Sequence, residues 1–211
     1  MRKCWAYLWR SWLLYHLADP HFAFMCDAPP DGEWVALDCE TTGLDVKRDR
    51  IISIGAVRIV GNRMLTSQRL ELLVRPERAL KADSVRVHRL REQDVAQGMS
   101  PEKAMRRLLD FIGSRPLVGY YLEFDVAMVN REIRPLLGVG LPQRKIEVSS
   151  MYYDFKNRQR PPHERGGVID LRFATMMNDL ALPLRDAHDA LNDAVMAGLA
   201  FLKLRRLLSE S

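Results

Sequence analysis

Apolar positions recur along the chain with two spacings, and each predicts its own kind of element. Trp5, Leu8, Trp9, Trp12, Leu13 and His16 follow i, i+3, i+4, i+7 spacing, the period of an amphipathic helix at the N-terminus. Asp27 to Gly32 (DAPPDG) then reads as a linker. Beyond it the period drops to two. Trp34, Ala36, Asp38 and Glu40 share one face of a strand, and Val35, Leu37 and Cys39 the other. Ile51 to Val60 and Met64 to Val74 predict two more strands around a Gly61-Asn62 turn, so the first three should form an antiparallel meander. Ser100-Pro101-Glu102 opens a helix that Gly113 ends. A fourth strand is expected over Pro116 to Tyr121, then a helix from about Asp125 that Pro135 kinks or stops before Gly138. Lys145 to Ser149 is the fifth strand candidate, Asp170 caps a helix to about Leu180, and a last helix runs from about Asp189 to Leu208. Arg144 to Arg165, basic and rich in Pro and Tyr, reads as an irregular surface segment. The fold class is α/β: a central mixed five-stranded sheet flanked by helices, with residues 1–32 as an N-terminal helical arm and linker and 33–211 as the domain.

Composition changes this picture only in part. A chain of 211 residues, 47% hydrophobic and 28% charged, suits one soluble globular domain with a real core. No run approaches the ~18 apolar residues of a membrane span. Arg2 and Lys3 before an apolar stretch suggest a secretory leader, but Arg10 and Ser11 interrupt it and no small-residue cleavage site follows. Cys4, Cys26 and Cys39 form no CxxC pair, which fits a reducing, cytoplasmic setting. The net charge of +5 makes a polyanionic partner electrostatically plausible. The N-terminal helix is expected to dock on its own domain or on a second copy, forming a homodimer; the sharper alternative is a protein partner or a membrane surface.

Candidate chemistry begins with Asp38-x-Glu40. Two carboxylates pointing the same way repel each other unless a cation lies between them or water solvates them. A second acid, Asp125, follows the fourth strand, and a third site, His188 through Asp193, opens the last helix. Each alone is an ordinary cap or solvated acid. Their conjunction, in this order and each at an element terminus, is much more specific.

Together, Asp38-Cys39-Glu40-Thr41-Thr42-Gly43-Leu44, Phe124-Asp125 and His188 through Asp193 resemble the motifs of the DEDDh class of 3′→5′ exonucleases. That class includes the proofreading subunits of bacterial replicative polymerases and ribonuclease T. The resemblance implies a ribonuclease H-like exonuclease fold over roughly Glu33 to Leu208. It implies hydrolysis at the 3′ end of single-stranded DNA, or of RNA, releasing nucleoside 5′-monophosphates. It further implies two Mg²⁺ or Mn²⁺ ions held by Asp38, Glu40, Asp125 and Asp193, with His188 as general base. Hard oxygen ligands favour those metals over zinc. Thr41, Thr42 and Gly43 resemble contacts to the terminal nucleotide, and Leu44 the wedge between the last two bases; for Thr42 a tight-turn role is as good a reading. The family's HNxxFD pattern is broken, because Tyr120 and Tyr121 replace His and Asn; Tyr121 can offer stacking or a hydroxyl to substrate. Cys39 reads as core, and His88 as packing or loop structure. Lys156, Arg158 and Arg160 read as a phosphate track or as solvated surface. A polymerase-bound scaffold subunit and a non-catalytic nucleic-acid-binding module remain alternatives. Because the chain ends soon after Asp193, a stand-alone nuclease, or one recruited through its N-terminal helix, is expected.

Overall fold

The strand carrying the acidic pair lies at the centre of the molecule. The computed structural model describes residues 2–76, 92–185 and 189–210. Helix α1 (Arg2–His16) and a 3₁₀ helix (Pro20–Cys26) precede β1 (Glu33–Thr41), β2 (Ile51–Val60) and β3 (Arg63–Leu73). Short α2 (Glu92–Ala96) and α3 (Pro101–Ile112) lead into β4 (Leu117–Gly119), α4 (Leu122–Leu137) and β5 (Lys145–Glu147). Helices α5 (Val148–Gln159), α6 (Phe173–Asp179) and α7 (Ala190–Glu210) follow. The sheet order is β3-β2-β1-β4-β5. The meander β1–β2–β3 is antiparallel, as its close connections require, whereas β4 runs parallel to β1 and β5 parallel to β4.

Alternation along β1 divides the core in two. Val35, Leu37 and Cys39 join one apolar cluster with residues of α3 and α4. Ala36 and the partly buried Trp34 join the other, with residues of α5, α6 and α7. Asp38 and Glu40 continue the second face by period two, so they emerge on the side that α7 covers. The N-terminal arm shares the first cluster: Leu13, Phe22 and Met25 are all buried in it. Arg106 of α3 pairs with Asp19 at 3.1 Å, and the Ala18 amide donates to the Leu137 carbonyl at 2.8 Å. Leu8, Trp9, Trp12 and Tyr15 leave the opposite face of α1 exposed.

Several expected boundaries move, each for a physical reason. Arg144 to Arg165 is not irregular: α5 occupies Val148–Gln159. Val148, Met151, Tyr152 and Phe155 bear a helical period and pack on the second cluster, while the run of Lys156, Arg158 and Arg160 just after them obscures it in the sequence. Its cations are engaged within the chain. Lys156 pairs with Asp179 at 3.1 Å, Arg158 donates to the Leu208 carbonyl and Arg160 to the Val168 carbonyl. Strand β4 ends at Gly119 and α4 starts at Leu122, because Tyr121 turns into a left-handed conformation (φ 53°). That helix passes through Pro135 and ends at Gly138 (φ 72°), whose amide caps the Arg134 carbonyl. Asp170 does not open α6, which begins at Phe173; its carboxylate instead binds the Arg172 backbone and guanidinium and the Thr175 hydroxyl. His88 and His188 lie outside the described residues.

Candidate active site

Three carboxylates from two elements converge. Asp38 and Glu40 stand at the end of β1, and Asp193 in the first turn of α7; one oxygen of each lies within 4.8 Å of the others. Alternation places the first two side by side, but Asp193 arrives only because α7 starts against the sheet. Gly55 of β2, register partner of Asp38, permits this. A Cβ on Gly55 would fall 2.2 Å from the Ala190 carbonyl group and the Leu191 nitrogen. Asp189 fixes the helix start: its carboxylate accepts from the Asn192 amide at 2.8 Å, and its carbonyl from the Asp193 amide at 2.9 Å.

Asp125 approaches from the first turn of α4, buried, with Oδ1 accepting the Cys39 amide at 3.1 Å. It stands beside the trio rather than within it, close enough to Asp38 and Glu40 for repulsion to register. Both helical acids sit at the positive end of a helix dipole, which partly offsets that repulsion. It remains large. Burial, then Asp125, Asp193, Glu40 and Asp189, hold the Asp38 carboxyl well above the usual range. Burial and then Asp193 and Asp189 push Glu40 up to about 7. Asp125 rises through burial, against the lowering effect of the Cys39 amide. The Cys39 thiol is buried and raised as well, first by desolvation and then by the acids, so it behaves as a core thiol rather than a nucleophile. A set of hard oxygen donors whose charges repel, clustered this closely, is suited to holding a hard divalent cation.

Loops at the carboxyl ends of β1 and β4 border the cluster. The β1 register slips between Glu40 and Thr41, an irregularity that re-aims side chains. The Thr41 hydroxyl donates to the Gly43 carbonyl, and Thr42 donates its hydroxyl to Asp49 while its amide binds the Arg50 carbonyl. Thr42 therefore serves the turn. Buried Asp49 also accepts the Asp45 amide, and Arg131 of α4 clamps the loop by donating to the Val46 and Asp49 carbonyls. Leu44 is left 85% exposed at the loop tip. On the neighbouring loop Tyr120 is anchored, its hydroxyl donating to the Leu171 carbonyl and its ring stacked on Phe173. Tyr121 projects outward.

Asp49, Gly55 and Glu147 were not singled out by the sequence reading, and Asp189 only as the start of the last helix. Of the three that were missed, only the glycine carried a local signal, since an isolated Gly in a strand marks a close backbone approach.

The model of the exonuclease family RNase_T matches residues 35–201. This chain belongs to that family. Among its curated relatives, the DNA polymerase III subunit epsilon of Aquifex aeolicus is 25% identical over 192 residues, which cover 89% of this chain and 87% of that protein. The PolC-type DNA polymerase III of Caldanaerobacter subterraneus subsp. tengcongensis is 25% identical over 188 residues, 87% of this chain but 12% of the polymerase. Among solved structures, the E. coli exonuclease I–single-stranded DNA complex matches with a TM-score of 0.69 and 15% identity, over 86% of this chain and 43% of that one. The exonuclease fold is thus shared across proteins in which it forms a small part or nearly the whole.

Proposed function

We propose that this RNase_T family member is a two-metal-ion 3′→5′ exonuclease that shortens single-stranded DNA, or RNA, one nucleoside 5′-monophosphate at a time. One observation carries the reading: carboxylate oxygens of Asp38, Glu40 and Asp193 gather within 4.8 Å, with Asp125 beside them. In this reading those four residues would hold two divalent cations, which would supply charge neutralisation at the scissile phosphate and a lowered pKa for the attacking water. His188 takes the proton from that water as its oxygen attacks phosphorus and the bond to the 3′-oxygen breaks. Thr41, Gly43 and Leu44 border the terminal nucleotide, with Thr42 shaping the loop. The protein acts in the cytoplasm.

The test uses end-labelled single-stranded DNA and RNA side by side, with Mg²⁺, with Mn²⁺ and with EDTA, and Asp193→Ala as control. Ladders shortening from the 3′ end, lost in EDTA and in the variant, are expected. Cleavage of circular single strands, or equal activity of a folded Asp193→Ala protein, would remove the reading. The exposed Trp9 and Trp12 face of α1 supports a second element, recruitment to a polymerase or self-association through the arm. Light scattering of wild type and a Trp9→Ser, Trp12→Ser variant separates self-association from a monomer awaiting a different partner.

A further inference from the structure

Tyr121 is a bulky residue in a conformation that bulky residues avoid. Its φ of 53° is shared by only one other non-glycine among the described residues, Ala181 (φ 52°). A side chain far away in sequence holds it there. Glu147, at the end of β5, accepts the Tyr121 amide through Oε1 at 3.2 Å and the Leu122 amide through Oε2 at 2.9 Å. The same Oε1 accepts the amide and hydroxyl of Ser149, so one carboxylate caps the starts of both α4 and α5. The ring is supported too. Tyr121 meets Tyr120 edge-on at 4.9 Å, and Tyr120 in turn stacks on Phe173 at 4.5 Å. This support ends in solvent, for Tyr121 remains 69% exposed. Strain that the surroundings hold in place, ending in an exposed aromatic at the start of the helix that carries Asp125, serves presentation rather than packing.

We propose that Glu147 is a positioning residue that locks Tyr121 outward, so that its ring forms the base-stacking wall of a 3′-terminal slot whose other wall is Leu44. The two residues sit on loops that follow adjacent parallel strands, β1 and β4, and both are exposed at the carboxyl end of the sheet. A π-face accepts any base, so the slot selects an unpaired 3′ end and tolerates sequence. The inference rests on the exonuclease reading, naming what that site grips.

Three variants test it. Tyr121→Asn removes the ring but suits the left-handed backbone. It should raise KM for a 15-mer oligodeoxythymidylate about 5–150-fold, the range of one lost base stack, and more than it lowers kcat. It should also raise the melting midpoint by about 2–4 °C as strain is relieved. Tyr121→Phe keeps the ring and should rescue KM. Glu147→Gln cannot accept both amides, so it should raise KM alone but add nothing on the Tyr121→Asn background. A 3′-terminal 2-aminopurine gives a readout without turnover: in an Asp193→Ala background its fluorescence should be quenched with Tyr121 or Phe, and not with Asn. Wild-type KM and quenching in Tyr121→Asn would overturn the slot, and additive KM effects would overturn the role of Glu147. An inactive wild type would sink the exonuclease reading, while the fluorescence still decides for or against the slot.

Discussion

Glu40 shows how the acidic cluster reports on itself through pH. Its carboxyl, ordinarily near 4.5, is pushed up to about 7 by burial and by Asp193 and Asp189. The folded protein therefore binds that proton more tightly than the unfolded chain. Its stabilising effect is complete below about pH 4.5 and is lost as pH rises through about 7. In EDTA the melting temperature should fall across this window. Added Mg²⁺ or Mn²⁺ should raise it, and raise it more at the alkaline end, where the ligands are free to bind. A cation effect that is equal at both ends would show that Glu40 takes no part in the metal site. His188→Ala, if the histidine is the general base, should lower turnover roughly 10²–10⁴-fold while leaving cation affinity by calorimetry close to wild type. Loss of cation binding instead would make His188 a ligand.

Between elements, the decisive contact is that of β2 with the start of α7. Gly55→Ala would drive a methyl group into backbone at 2.2 Å, and backbone has no rotamer by which to yield. A cost of about 1–3 kcal/mol is expected in urea denaturation, as for other overpacked sites. Turnover should fall further than stability implies, because a shift of about 1 Å in a catalytic group costs on the order of 10²-fold. Full activity in Gly55→Ala would show that Asp193 is not held through this contact. The parity of the Asp38 and Glu40 strand was readable from period two alone, and the three-stranded meander from its short connections. Helix α5 was not, because its apolar positions Val148, Met151, Tyr152 and Phe155 are followed at once by Lys156, Arg158 and Arg160, which give the segment the look of a solvated loop. Lys156 and Arg158 are used against Asp179 and Leu208, partners contributed by other elements.

In the molecule as a whole, the arm and the exonuclease domain share one core. Phe22, 1% exposed, packs in the same cluster as Leu37 and Leu109, with Arg106 over its ring. Phe22→Ala should cost about 3–5 kcal/mol and lower the single urea transition of the entire chain. A separate early transition for the arm would show that it folds independently. The sequence by itself determined the α/β class, the strand that carries the acids, and the identity of the converging residues. The first two follow from local periodicity and caps, and the third from the resemblance of the three motifs to the DEDDh exonucleases. Only the tertiary structure decided that Asp193 meets Asp38 across Gly55, that Thr42 turns inward to Asp49, and that Glu147 holds Tyr121 left-handed. Each of these depends on where backbones approach in space, which sequence spacing leaves open until the packed sheet and helices fix it.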